Sequence, residues 1–198
     1  MLKKISYIAI IALMLHACGA GPKRETFTSD QDERSQKLRS ADHWNIQGRV
    51  SIVTGNDGWN GSIRWKQVET HFDIRIVGPL GQGSMWLQGS PGFVELRSSD
   101  KKKVITAPDA ESLLYQEMGW QMPVSGMRYW VLGIAGPGDV TSRKYNKQGQ
   151  LEEMVQSGWT IRFRRYRKVG DYQLPDKIFM RNDRFSVKMI IKQWKLDS

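Results

Sequence analysis

Few side chains in this 198-residue sequence are suited to chemistry. It holds one cysteine, Cys18, and three histidines, His16, His43 and His71. A thiolate that attacks, binds metal or forms a disulfide needs a partner, and there is no second cysteine. His43 and His71 stand far apart, without the spacing of metal ligands. The sequence has no Gly-x-Ser-x-Gly elbow for a serine nucleophile. Nor has it a Gly-x-x-x-x-Gly-Lys-Ser/Thr loop for a nucleotide phosphate. The acid pairs Asp109 with Glu111 and Glu152 with Glu153 read as helix-start and surface charges. The expectation is a protein that is not an enzyme and needs neither cofactor nor metal.

Cys18 has a different reading. Lys3 and Lys4 precede an apolar run, Ile5 to Leu15, too short to span a bilayer, which takes about 20 residues. Small Ala17 then stands directly before Cys18. Residues 1–17 therefore read as a cleaved export signal. An exported chain enters an oxidising compartment, where cysteines usually pair. A lone cysteine at the cleavage point is better explained as a site of acylation. Leu15-His16-Ala17-Cys18 resembles the lipobox of bacterial lipoproteins, with His16 where that pattern holds a small residue. Gly19 and Ala20 follow, with no Asp after the cysteine. By resemblance to enterobacterial-type lipoproteins, this points to the outer membrane, with the chain lipid-anchored on its periplasmic face.

Other elements must carry whatever follows the anchor. Removing 17 of the 198 residues leaves 181, enough for one domain with a real core. The net charge of +10 falls to about +8 once Lys3 and Lys4 are gone. An exported basic chain meets no nucleic acid, so anionic head groups and acidic protein surfaces are the partners to expect. Residues 18–40 are polar and charged and read as a lipidated N-terminus and flexible tether, ending in a short helix from about Asp30 to Ala41. The folded domain is expected over 41–198.

From Trp44 onward a two-residue period dominates. Trp44, Ile46, Gly48, Val50 and Ile52 alternate with polar neighbours. Trp59, Gly61, Ile63 and Trp65 do the same after a turn at 55–58, and then Phe72, Ile74 and Ile76. Shorter runs follow at 82–89, 92–97 and 102–106. The period then changes. Asp109 is a candidate N-cap for a helix ended by Gly119, and a second helix runs from about Ser125 to Leu132, opened by Ser125 and closed by Gly133. Strands resume at 140–146, 150–156, 159–167, 174–181 and 184–194. The total is about eleven antiparallel strands, mainly β, and a sheet of that length curls. The expected fold is a half-open barrel with the helical insert across its opening.

The ordered motifs of this domain resemble the LolB family, outer-membrane acceptors of lipoproteins. They are Trp44-Asn-Ile-Gln-Gly-Arg-Val-Ser-Ile52, Gly78-Pro-Leu-Gly81, Met127-Arg-Tyr-Trp-Val-Leu-Gly-Ile134, Gly158-Trp-Thr-Ile-Arg-Phe163 and Val187-Lys-Met-Ile-Ile-Lys-Gln-Trp194. The resemblance implies an incomplete antiparallel barrel with a helical lid around an apolar cavity. It implies a protein that takes acylated lipoproteins from a soluble periplasmic carrier of the LolA type and incorporates them into the outer membrane. Its partners would be that carrier, the acylated cargo and the inner leaflet of the outer membrane. By analogy it would be a monomer. The alternative is another envelope lipoprotein that binds a glycolipid or scaffolds an assembly complex.

Burial of an acyl chain of 16 carbons is worth about 12 kcal/mol, so release into water is excluded and transfer must pass between two apolar cavities. Candidate lining residues are Val50, Ile52, Ile63, Trp65, Ile74, Ile76, Met85, Leu87, Leu113, Leu114 and Trp130. A lining and a packed core share one face, so periodicity leaves both readings open for each tryptophan. Leu80, between Pro79 and Gly81 at a turn, gains nothing from a core. In the family the leucine of this loop projects outward and engages the membrane. The basic run Arg162, Arg164, Arg165, Arg167 and Lys168, and Lys101 to Lys103, read either as solvated strand faces or as sites for anionic partners.

Overall fold

A computed structural model describes residues 29–55 and 57–196, without the side chains of residues 29, 30, 101 and 102. The export signal, Cys18 and the start of the tether lie outside the described residues. The elements are α1 (Ser29–Arg39), β1 (His43–Thr54), β2 (Asp57–Val68), β3 (His71–Val77), β4 (Ser84–Ser90), β5 (Phe93–Ser98) and β6 (Lys101–Ala107). After these come α2 (Ala110–Met118), α3 (Val124–Val131), β7 (Val140–Tyr145), β8 (Leu151–Gln156), β9 (Trp159–Val169), β10 (Tyr172–Arg181) and β11 (Phe185–Leu196).

All eleven strands form one antiparallel sheet in the order β6-β5-β4-β3-β2-β1-β11-β10-β9-β8-β7. The first and last strands pair at its centre, so the open edges are β6 and β7. Those edges flank α2 and α3 in sequence, and the helical insert therefore joins one edge to the other. The two-residue period reads through directly. In β1, Trp44, Ile46, Val50 and Ile52 are buried while Gln47, Arg49 and Val53 are exposed. The inward side chains of both halves, with Leu113, Leu114, Met127 and Trp130 from the helices, make one apolar core. Its members among the described residues run from Leu38 to Ile191, so a chain without residues 1–17 keeps them all.

One irregularity resets the period. Gln47 pairs with Gln193 but Gly48 pairs with Ile191, leaving Lys192 as an extra residue in β11. Phe185, Val187, Met189 and Ile191 face the core before this bulge, and Trp194 after it. Trp194 meets Trp44 edge-on at 6.0 Å. Gly48 is required there, because a Cβ would fall 2.1 Å from the Ile190 carbonyl oxygen. Arg167 braces the bulge, donating to the Ile191 and Lys192 carbonyls at 3.3 and 3.2 Å while paired to Asp176 at 2.5 Å.

The helix expected at the end of the tether is α1, and it packs on the domain. Leu38 is only 1% exposed. Arg34 donates to the Gln173 carbonyl and Arg39 to the Ala135 carbonyl, each at 2.8 Å. Arg34, Lys37 and Arg39 lie over the rings of Tyr166, Tyr172 and Tyr129 at 5.3 to 5.5 Å. Docking through cation–π contacts and one leucine leaves no apolar stripe in the sequence, which is why composition alone reads this helix as tether. Burial pushes the Tyr166 phenol up, and its hydroxyl donates to the Leu151 carbonyl at 2.7 Å.

Asp109 caps α2 as expected, accepting from the Ser112 N–H at 2.7 Å, and Gly119 ends it in the left-handed region. The second helix begins one residue early, at Val124 after Pro123. Ser125 is not its cap. The Glu111 carboxylate of α2 serves instead, accepting from the Ser125 N–H at 2.8 Å and tying the two helices together. The far end of α3 is held by Gln156, 1% exposed. Its Oε1 accepts from Trp130 Nε1 and the Gly136 N–H, and its Nε2 donates to the Gly136, Pro137 and Gly138 carbonyls.

Gln156→Leu should destabilise the fold by about 3 kcal/mol, since it strands the Trp130 and Gly136 donors in a buried place. Urea unfolding measures this, and a loss under about 1 kcal/mol would remove Gln156 as the anchor of α3. The hydrogen bonds from Ser112, backbone first and hydroxyl second, hold the Asp109 carboxyl below its usual value. A group depressed in the folded state stabilises above its unfolded pKa, about 4, and that contribution fades as pH falls through the lower folded value. Amide protection in α2, measured against the intrinsic exchange rate at each pH, should therefore fall in acid. Asp109→Ala should show the lower protection already at neutral pH, by a cap worth about 1 kcal/mol.

Candidate functional site

Between the sheet and the helices lies an apolar cavity of about 50 Å³. Val50 and Ile52 of β1, Ile63 and Trp65 of β2, Ile74 and Ile76 of β3, Met85 and Leu87 of β4, and Leu114 of α2 all face it. Strand register brings them together: Ile63 stands opposite Ile76, Trp65 opposite Ile74, and those two opposite Met85 and Leu87. Two residues proposed from sequence lie elsewhere. Leu113 is fully buried away from the cavity, and Trp130 packs on Trp159 at 6.1 Å, donates to Gln156 and lines the adjoining groove instead. The sequence reading missed Trp120, Met122, Val124 and Met127 above the cavity, and Val187 and Met189 below it. The last two lie on the inward phase of β11 and were open to a period-two argument. The 119–123 segment has no period to read.

Every lining side chain is hydrocarbon, thioether or indole, so the lining has no group with which to move a proton. What it can do is exclude water. Ligand pockets commonly measure about 300–1,000 Å³, several times this cavity. Four of the lining residues are methionines, Met85, Met122, Met127 and Met189, whose unbranched thioethers repack easily.

A larger groove, about 650 Å³, adjoins the cavity and shares Trp65 and Val124 with it. Thr70 of the β2–β3 turn, Pro91 and Gly92 of the β4–β5 turn, the starts of α2 and α3, and Ser157 form its walls. Trp65 is fixed by Gln67, which accepts from its Nε1 at 3.0 Å and donates to the Glu69 carbonyl at 2.8 Å. Arg128 of α3 donates to that same carbonyl at 3.1 Å and to the Tyr129 hydroxyl at 2.7 Å. The last turn of α3 is thereby linked to the β2–β3 turn.

Of the tryptophans on the apolar phase, Trp65 alone lines the cavity. Trp44 packs in the core against Trp65 and Trp194, and Trp59 is partly buried at its margin.

At the other end of β3, Leu80 is 99% exposed. The loop carrying it closes on itself: the Gly78 N–H donates to the Gly83 carbonyl at 2.8 Å and the Gln82 N–H to the Pro79 carbonyl at 3.0 Å. Leu80 sits in the left-handed region, φ 55°, followed by Gly81 at 77° and Gly83 at 78°. That conformation costs a leucine about 1–2 kcal/mol, and no contact within the fold compensates it.

The basic run of β9 is largely absorbed by ion pairs along the sheet. Arg162 meets Glu153 at 2.5 Å, Arg164 meets Glu152 at 3.3 Å and Arg167 meets Asp176. Hydrogen bonding from Arg162 lowers the Glu153 carboxyl below its usual value. Arg165 and Lys168 are exposed, as is Lys103 in β6.

Comparison with known proteins bears on what this arrangement is for. Residues 42–194 match the family model for outer membrane lipoprotein LolB. Among curated relatives, an outer-membrane lipoprotein LolB from Nitrosococcus oceani is 36% identical, over 96% of this chain and 96% of that one. One from Pseudomonas savastanoi pv. phaseolicola is 32% identical, over 98% and 96%. Two solved structures share the fold at 8% identity. A LolA superfamily protein from Nitrosomonas europaea superposes with a TM-score of 0.53, covering 83% of this chain and 94% of that one. A DUF1329 family protein from Desulfovibrio piger gives 0.52, covering 85% and 91%. An open eleven-stranded sheet roofed by a short helical insert, with sequence identity running through both, assigns the molecule: this chain belongs to the LolB family of outer membrane lipoproteins.

Proposed function

We propose that the protein accepts the acyl chains of a lipoprotein from a soluble carrier of the LolA type and releases them into the outer membrane, anchored on its periplasmic face through lipid on Cys18. The observation that carries this reading is the convergence of inward strand residues and lid residues on one purely apolar cavity in a LolB-family chain. At about 50 Å³ the cavity is too small for an acyl chain. The lid therefore has to rise, with the chain replacing Trp120, Met122 and Met127 against the sheet. Exchange of one apolar surface for another needs no nucleotide, and only the difference in affinity between two cavities sets its direction.

In this reading, residues 1–17 are the cleaved signal and the segment from Cys18 to α1 is the tether. Val50, Ile52, Ile63, Trp65, Ile74, Ile76, Met85, Leu87 and Leu114 line the bound chain. Leu113 and Trp130 support the lid. Leu80, with Pro79 and Gly81, forms the loop that enters the membrane, which accounts for an apolar side chain held in a strained and fully exposed place.

The first test mixes residues 18–198, carrying Cys18→Ala, with a purified cognate carrier loaded with a lipoprotein. Cargo should co-purify with this domain in the absence of nucleotide. Cargo remaining on a competent carrier would sink the proposal. Ile63→Gln with Ile76→Gln should weaken binding of a fluorescent acyl probe by about tenfold or more, through loss of apolar contact in the cavity. Intact binding by a folded variant removes those residues from the lining. Leu80→Glu should keep its melting temperature and its acceptance of cargo, yet deliver to vesicles about tenfold more slowly. Undiminished delivery would end the membrane assignment of Leu80.

A further inference from the structure

The convex face carries a second feature beside the Leu80 loop. A dent of about 550 Å³ is walled by Arg49, Ser51, Asn60, Ser62 and Lys188, with Val77 and Leu80 on its loop side and no carboxylate in its lining. Strand register produces it. Arg49 of β1 stands between Ile190 of β11 and Ser62 of β2, and Ser62 stands opposite Val77. In the next outward row, Ser51 stands between Lys188 and Asn60. Small polar side chains in the middle of both rows leave a hollow between the cations and the loop.

These cations are not spent within the fold. Arg49 makes no ion pair or hydrogen bond among the described residues, and Lys188 only lies over the Phe179 ring at 5.9 Å. Further along the same face Arg64 stands directly opposite Arg75, a like-charge pairing that destabilises a sheet. Asp73 pairs with Arg75 at 3.2 Å, while Arg64 has no partner among the described residues. Val53 and Val77, both outward and more than 40% exposed, add apolar surface at this end of the sheet.

We infer that this dent binds the phosphate-bearing head groups of an anionic phospholipid membrane while Leu80 and Val77 enter the acyl boundary beside it. The inference rests on the proposed membrane role of Leu80 and adds its lipid partner and the residues that hold it. Cations next to exposed apolar tips match the two layers of a membrane interface, phosphate outside and hydrocarbon within. The seryl hydroxyls and the Asn60 amide supply donors to phosphate oxygens between the two charges. A protein partner is gripped through buried aromatic or arginine anchors inside a dry patch. Here the apolar element protrudes and the cations line an open hollow. β3 starts beside the groove, where Thr70 and Phe72 line it, and ends at Val77 beside the dent. A membrane held at the dent leaves the groove free to receive cargo.

Flotation of residues 18–198, carrying Cys18→Ala, with two kinds of vesicle tests this. One is phosphatidylcholine alone, the other phosphatidylcholine mixed with phosphatidylglycerol. The parent should bind the mixed vesicles at least about tenfold more tightly, with the gain closing at high salt. Arg49→Glu with Lys188→Glu should abolish that gain, and Arg49→Gln with Lys188→Gln should remove part of it. Lys147→Glu with Lys168→Glu, an equal charge change away from the dent, should retain it. Equal losses in the two reversed pairs, or an undiminished gain in the dent pair, would overturn the inference. So would loss of carrier-to-domain transfer by the dent pair in the absence of vesicles, which would make the dent a carrier dock. Parent protein that takes no cargo in solution sinks the acceptor reading alone and leaves the vesicle comparison standing.

Discussion

A broad sheet with one apolar face cannot leave that face in water, and the rest of this molecule follows from how the face is covered. Curling brings much of it against itself, but eleven strands with open edges leave a gap. The α2–α3 insert fills the gap because it is the segment that connects the two edges. Burial of apolar area is without direction, so the face is satisfied equally by lid side chains or by an acyl chain. A surface that is stable when covered by either is what a reversible carrier of hydrocarbon requires.

Directional interactions decide which parts of the cover stay put. Gln156 fastens the far end of α3, Glu111 joins the start of α3 to α2, and Arg128 ties α3 to the β2–β3 turn. Trp120, Met122 and Met127 cover the cavity by apolar contact, and two of the three are methionines. Polar staples are costly to break when buried, whereas apolar side chains exchange one greasy neighbour for another at little cost. The proposed movement of the lid thus falls on the segment between the staples.

The convex face obeys a different rule. On the β8–β10 side charges are neutralised across strands, as Arg162, Arg164 and Arg167 are by Glu153, Glu152 and Asp176. Around the Leu80 loop that economy fails: a leucine is strained and bare, and neighbouring cations go unpaired. Departures from local consistency gather where a protein meets something outside itself. Their clustering at one end of β3 is the reason to treat loop and dent as one unit in the proposed membrane contact.

Much of this architecture is legible in the sequence, because strand period, turn residues and the Asp109 and Gly119 helix ends are local properties. The two-residue alternation assigned Trp44, Ile63 and Ile74 to the apolar face, and the position of Leu80 between Pro79 and Gly81 marked it as exposed. Other features needed the folded chain. Whether a tryptophan lines the cavity or fills the core depends on which strand faces the lid, so Trp65 and Trp44 part company only in three dimensions. α1 docks by placing cations over tyrosines distant in sequence, which leaves no periodic trace. The Lys192 bulge, the Gln156 anchor and the dent between Arg49 and Lys188 arise from register between strands. Sequence period determines which face a residue takes; only pairing across the sheet determines its neighbours, because the hydrogen bonds that set register join residues far apart along the chain.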